Sequence, residues 1–567
     1  MKINKFSIQL YSSIFVLLTT FFVVYLTYSP IFFATNDDGI ISNLTNGSYS
    51  GQVSNELIYS SKIYGSILEF LYQNLPAFQW HGIYILISVF LSCILLMKLV
   101  IYNINNSLTF KIGIFLIIWN LYLVFIISPT FTMASLISGF AAVIIFYTNL
   151  LNQENQIIVV PLILLLNSFV IRPDGFLAIV YFIVPGIIYL IYRLIKQDKM
   201  VIKNIFIFLP SLGVFLFESW QLRILRNSST EWDNYWQFLN AFHLVHTNPS
   251  MLKMLQAIAA FQIPGLKWTN VEATLLQSVS YLDPFIFSGD QMEIAKNHVL
   301  DFIGFRGLLN AEIIPTFTRV WEYMNFINPL FFALLTITLV FIFISRNLKL
   351  SGLFVFGLLY TVFFYYYLGA VWRIPPRINI PIIFMLILGT LILYSYLKSQ
   401  GNRKNLTVTF LSLIFIVVFQ LGSTGFIGLT EKLAKRQTDQ INISEELNRV
   451  DPNGIYLGQI RYGVESYSNA FLTLNKYRSL DLSTGWHTFS PAWNEKVRQL
   501  GILDGNPVPL LTNKEGVYWV SDGYTGEVMA MYINDRKLKA KGICLVGNLP
   551  NDGKIVSFQT TEDKCVR

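Results

Sequence analysis

At 567 residues the chain is 54% hydrophobic and only 13% charged, with a mean hydropathy of +0.52; a soluble globular protein carries about a quarter charged residues. Its apolar residues fall in runs of roughly 17–25, the length that crosses about 30 Å of hydrocarbon, so the composition defines a polytopic membrane protein. The formal net charge of +8 does not point to nucleic acid, because the basic residues gather in loops beside the apolar runs.

Transmembrane helices are expected near 8–34, 82–102, 111–128, 131–150, 157–171, 176–193, 205–220, 328–345, 352–372, 378–397 and 406–428, about eleven in all. The first is too long for a signal-peptide core and is read as retained. Just beyond it stand two adjacent acids, Asp37 and Asp38. Two carboxylates at a helix mouth repel each other and cost desolvation, so the pair is expected to bind something: a metal, a proton, a hydroxyl or a cationic group. A turn-rich stretch, 43–51, follows. Glu56 to Leu75 then has apolar residues at helical spacing and reads as an amphipathic helix lying in the interface, ended by Pro76 and followed by the anchors Trp80 and Tyr84.

Further along, Arg172-Pro-Asp174 forms a tight turn. The long loop 221–327 carries Glu231-Trp232-Asp233 and Lys267-Trp268, with Glu272 nearby: aromatics beside acids, suited to stacking on a sugar. Glu272 is a candidate second functional acid. His243 and His246 are three apart on an expected helix, but no further ligands assemble a metal site with them. Arg373 and Arg377 flank two prolines that preset the backbone, making a stiff template for two guanidiniums. The tail from about 430 is soluble in composition, with strand-like runs at 454–458, 516–520, 542–546 and 554–558. It also holds His487, read as a surface residue or one used in recognition, and Cys544 and Cys565, which could pair in an oxidising compartment. The expected fold class is therefore an α-helical polytopic membrane domain, 1–429, followed by a small extracytoplasmic α/β or α+β domain, 430–567.

Charge placement sets the orientation. Lys2 and Lys5, then Arg193 with Lys196, Lys199 and Lys203, then Arg346 and Lys349, then Lys398, Arg403 and Lys404, all fall on one side when spans are counted alternately. That side is the cytoplasm by the positive-inside rule. The acid pair, Arg172, the 221–327 loop, Arg373, Arg377 and the tail then share the outer face. The chain has no Walker loop, no dinucleotide fingerprint between strand and helix, no CxxC and no nucleophile elbow.

An acid pair, then an interfacial helix, then the second span resembles the first external loop of the GT-C superfamily, polytopic glycosyltransferases that take sugars from polyprenyl phosphates. The wording from Asn36-Asp37-Asp38 through Tyr49 and Gly51 to Pro76 is similar to a bacterial surface-polysaccharide branch. The resemblance covers the membrane part and not the tail. It implies a bacterial inner or plasma membrane enzyme. Arg377, with Arg172 or Arg373, would hold the donor phosphate. Asp37 or Asp38 would act as general base in an inverting transfer, with or without a divalent cation (Mg or Mn) at the pair. Trp232, Asp233, Trp268 and Glu272 would meet the acceptor, a surface glycan or lipid-linked precursor. The alternatives are an O-antigen-type polymerase or ligase, which would lean on the arginines without the acid pair, and a lipid or glycan transporter, for which midmembrane charges and repeat symmetry would be expected.

Overall fold

The computed structural model describes residues 5–28, 31–103, 108–152, 159–195, 213–221, 223–225, 227–247, 263–298, 359–365, 376–398, 435, 438–462, 470–471, 478, 480–502, 504–536, 538 and 542–559. Seven of the expected spans coincide with helices: α1 (Lys5–Tyr28), α4 (Trp80–Asn103), α5 (Leu108–Ile127), α6 (Phe131–Asn152), α7 (Val159–Ile171), α8 (Pro173–Ile195) and, after the long loop, Pro376–Lys398. The spans expected at 328–345 and 406–428 lie outside the described residues. Those at 205–220 and 352–372 are described only in part, as helix at 213–221 and 359–365.

Two of these helices, over Trp80–Leu99 and Phe131–Asn149, are long and apolar enough to cross a bilayer alone, and five shorter apolar helices accompany them. Their surfaces say more than their lengths. Phe15, Phe22 and Leu26 of α1, Leu91 of α4, and Leu177, Ile188 and Ile195 of α8 are exposed. The interior holds polar groups instead. Ser92 and Ser138 are 3.1 Å apart, Asn167 donates to Ser138 at 3.1 Å and accepts from Tyr84 at 3.1 Å, and Ser135 donates to the Ser168 carbonyl at 2.9 Å. Apolar side chains outward and hydrogen-bonded polar ones between helices is the pattern a lipid solvent favours. Almost wholly buried, α6 is the hub; it packs on α4, α7, α8 and the Pro376–Lys398 helix.

The acid pair does not sit in a loop. Thr35 is extended (φ −132°, ψ 150°) and starts α2 (Asn36–Thr45), placing both aspartates in its first turn, where acids complement the helix dipole. The interfacial helix begins at Lys62 rather than at Glu56, because Ser61 caps it by accepting from the Tyr64 N–H; this is α3 (Lys62–Asn74). It buries Tyr64, Leu68 and Tyr72 and leaves Phe70 outward.

Outside the bundle, the tail forms a five-stranded sheet of β1 (Ile455–Gln459), β2 (Leu482–Thr484), β3 (Val517–Asp522), β4 (Gly542–Leu549) and β5 (Gly553–Gln559), in the order β2-β1-β3-β5-β4. β2, β1 and β3 run parallel, and β5 and β4 close the sheet as an antiparallel hairpin. Four of the five strands match the expected runs, and β2 is too short to show alternation. Cys544 in β4 is disulfide-bonded, Cys93 is free and buried in α4, and Cys565 lies outside the described residues.

The sheet does not close its own core. One continuous apolar cluster joins Ile40 and Leu44 of α2 and Trp232, Tyr235 and Phe238 of α9 (Thr230–Thr247). It continues through Leu276 of α10 (Asn270–Gln277) to Trp493, Trp519 and Tyr532 of the tail. Tyr235 and Tyr281 donate to the Trp486 and Gly485 carbonyls, each at 2.9 Å, and Tyr532 donates to Asp283 at 2.7 Å. The packed external unit thus spans the first loop, the 221–327 loop and the tail. A second apolar cluster, around Leu447, Tyr456, Val520 and Ile555, is built from the tail alone.

A clamp ties this unit to the bundle. The Ala470 N–H donates to the Ile31 carbonyl at 2.7 Å, and Phe471 packs edge-on against Phe21 at 5.4 Å between ring centroids. Gly82, at the mouth of α4, makes the approach possible: a Cβ there would lie 1.5 Å from the Ala470 carbonyl oxygen. Gly82→Val should cost at least about 1 kcal/mol through overpacking. A lower thermal midpoint and faster proteolytic release of the tail are expected, and wild-type behaviour in both assays would contradict the contact.

Candidate functional site

Asp38 is fully buried and both of its oxygens are hydrogen-bonded. One accepts the backbone N–H of Phe131 at 2.7 Å and faces His81 Nε2 at 3.2 Å; the other accepts the Thr35 hydroxyl at 2.6 Å. A carboxylate only accepts, so Nε2 of His81 carries the hydrogen and Nδ1 takes the proton of Tyr64, whose hydroxyl is 2.8 Å away. Phe131 is the first residue of α6, so Asp38 stands at two helix N-termini at once, its own and that of the hub helix. These donors and dipoles offset the mutual repulsion of the two acids.

Asp37 turns the other way. Consecutive helical residues point about 100° apart, and its Oδ2 lies 3.3 Å from Arg377 NH2, with the two side chains 12% and 30% exposed. The first loop and the Pro376–Lys398 helix thus bring an acid and an arginine into one opening. Arg172, in the tight turn between α7 and α8, hydrogen-bonds Thr132 at the start of α6. Its guanidinium lies 4.6 Å from the Phe131 ring and 5.5 Å from the Tyr59 ring, an aromatic cradle that fixes a cation's orientation. Among the described residues it forms no ion pair. Arg373 lies outside the described residues.

Tyr59 and His243 fill the space between these charges. Their polar atoms are 2.8 Å apart. Burial raises the Tyr59 pKa well above 10, with the Asp37 charge adding to that and Arg172 opposing it. Burial lowers that of His243 below 6.5, against the pull of Asp174 and Asp37. The phenol therefore keeps its proton and donates it to a neutral imidazole. Trp486 of the tail packs on the Tyr59 ring at 4.7 Å, so first loop, long loop and tail meet above the acid and the arginines.

The other expected residues have different places. Glu272 is buried; it accepts from the Thr269 N–H at 2.7 Å in a capping box and pairs with Arg536 at 2.9 Å, which corrects its reading as a second functional acid. Trp268 is buried and donates to the Ile286 carbonyl at 2.9 Å, a core residue rather than a sugar platform. Trp232 is also mostly buried, its indole N–H donating to Glu56 at 3.1 Å, while Asp233 is exposed and accepts from Gln237. His487 is not on the surface. It is fully buried beside Ser483 and the Tyr49 ring.

The residues as placed do not fit a divalent cation at the acid pair. Such an ion would meet the Arg377 guanidinium at Asp37 and, at Asp38, oxygens already engaged by Phe131, His81 and Thr35. Among the described residues no group of three His, Cys, Asp or Glu is placed to hold a metal.

The chain is similar to two solved structures of ArnT from Cupriavidus metallidurans, one in the apo state and one bound to undecaprenyl phosphate. In each case the identity is 12% over 96% of this chain and 97% of that one, with TM-scores of 0.41 and 0.35. No family model matches, and no curated protein matches.

Asp38→Asn should lose about 1–3 kcal/mol, since it removes the charged acceptor that the Phe131 N–H, His81 and Thr35 share in a fully buried place. Asp37→Asn should lose less, since it has one charged partner, Arg377, whose side chain is 30% exposed and keeps access to water. Unfolding of the two purified variants compares them directly, and equal losses would refute the division between a structural and an open acid. A second expectation concerns pH. Burial pushes the His487 pKa from 6.5 down to about 3, so the fold needs it neutral while the unfolded chain protonates it near 6.5. Its contribution is complete above pH 6.5 and is lost as pH falls from 6.5 toward 3, by at most about 1.4 kcal/mol per pH unit. His487→Phe should flatten the thermal midpoint against pH; an unchanged slope would rule His487 out as its source.

Proposed function

We propose that the protein is a membrane glycosyltransferase that moves a sugar from a polyprenyl-phosphate donor to a glycan or lipid-linked acceptor at the outer face of a bacterial membrane. The observation that carries this is the Asp37–Arg377 pair beside the aromatic-cradled Arg172, at the mouth of a lipid-facing helix bundle. Arginine suits a lipid-linked phosphate because its planar fork matches phosphate oxygens.

In the transfer, the acceptor hydroxyl attacks the anomeric carbon while the bond from that carbon to the phosphate oxygen breaks. The electron pair leaves with the phosphate, where Arg377 and Arg172 stabilise the developing charge. The hydroxyl proton passes to Asp37, and attack opposite the leaving group inverts the anomeric centre. Asp38, fully buried and engaged by Phe131, His81 and Thr35, is suited to positioning Asp37 through α2. Arg377 must change partner, from the Asp37 carboxylate to the donor phosphate, which frees the base as the donor arrives.

Asp37→Asn should lower transfer from membrane-embedded donor by about 10²–10⁴-fold with the fold intact. Arg172→Lys and Arg377→Lys should chiefly weaken donor use. Wild-type transfer by Asp37→Asn would refute the acid's role and favour the arginine-centred polymerase or ligase.

A further inference from the structure

A cleft of about 310 Å³ opens between the 50–58 segment, α9 and the tail helix α12 (Pro491–Gln499), away from Arg172 and Arg377. Its size is at the small end of ligand pockets, about 300–1,000 Å³. None of its lining residues is basic, which disfavours an anionic ligand. The wall offers Gln52, Ser54 and Ser490, two carboxylates, Glu56 and Glu495, and the Trp232 ring.

The carboxylates are prepared rather than loose. Glu56 is held by the Trp232 indole N–H at 3.1 Å, and Glu495 by Arg498 at 3.0 Å. Each keeps lone pairs to accept further hydrogen bonds, and Arg498, which Glu495 shares with Glu231, offsets part of the Glu495 charge. Fixed carboxylates, an amide and hydroxyls around an aromatic ring match a neutral, hydroxyl-rich ligand: many O–H donors with apolar C–H faces between them.

The cleft is also in line with the site. Leu44 lines it, seven residues beyond Asp37 on α2. Seven residues return a helix to nearly the same face and advance about 10 Å. We infer that this cleft is a carbohydrate subsite that holds a neutral, non-reacting part of an oligosaccharide acceptor while its terminal hydroxyl reaches Asp37. The acceptor's part in this rests on the transfer reading above; the binding of the glycan does not.

The test uses the purified full-length protein, with cellotetraose, maltotetraose and chitotetraose as neutral probes and an oligogalacturonate as the acidic control. Binding is followed by saturation-transfer NMR. At least one neutral probe should bind with a Kd in the millimolar range or tighter, and the acidic one should bind more weakly. Glu56→Gln together with Glu495→Gln should weaken that binding by about tenfold. Ala492→Trp, which fills the cleft without removing a hydrogen bond, should abolish it, and Asp37→Asn should bind as wild type does. No binding by any neutral probe, or wild-type binding by Ala492→Trp, overturns the proposal. Full transfer by Asp37→Asn with cleft binding intact would sink the transfer reading alone.

Discussion

The buried carboxylate of Asp38 is the junction on which the site depends. It ties α2 to the start of α6 through Phe131 and to the mouth of α4 through His81. A carboxylate taken out of water without donors would cost several kcal/mol and would sooner stay protonated. Here one donor is the Phe131 N–H, which a helix start must satisfy in any case, and the others are the His81 ring and the Thr35 hydroxyl. The acid needs donors and the hub helix needs an acceptor, so each answers the other. Replacing Asp38 would therefore disturb three helices at their outer ends, and with them the direction in which Asp37 points.

The outer face is then roofed by a unit that no single stretch of chain could fold. The tail supplies the sheet, but Trp232, Tyr235 and Phe238 of α9 and Ile40 and Leu44 of α2 complete its core. Because α2 also carries Asp37, packing of the roof and aim of the acid are mechanically linked. The Tyr59–His243 bond and the Trp486 contact lie on that link, between the external core and the charged opening.

Much of this was legible in the sequence because apolar runs and turn residues act locally. Seven of the expected spans coincide with described helices, and four strands could be read from short β-rich stretches. What the sequence concealed was set by long-range partners. Asp37 and Asp38 are indistinguishable as text; only the positions of Phe131, His81 and Arg377 make one structural and the other open. Glu272 was misread although its signal was present, since Thr269-Asn-Val-Glu272 is the spacing of a capping box. Trp268 and His487 looked available because polarity in a loop suggests exposure, yet the composite core buries both. His81, beside the interfacial anchor Trp80, was passed over. A titratable group at the mouth of a span, near an acid pair, was the clue to its place in the Asp38 network.

The partner exchange of Arg377 gives the proposed chemistry an order. An acid paired with a guanidinium is a poor proton acceptor, because taking a proton forfeits the pairing. In the proposed transfer the donor phosphodiester carries one negative charge, as the carboxylate does, and its two free oxygens offer Arg377 an alternative bidentate partner to Asp37. The base is then free only when a donor is in place. Arg172, already oriented by Phe131 and Thr132, needs no such release and offers the entering phosphate its first fixed contact. In the proposed transfer, then, Arg172 from its turn would recruit the donor and Arg377 from the start of its helix would switch partner.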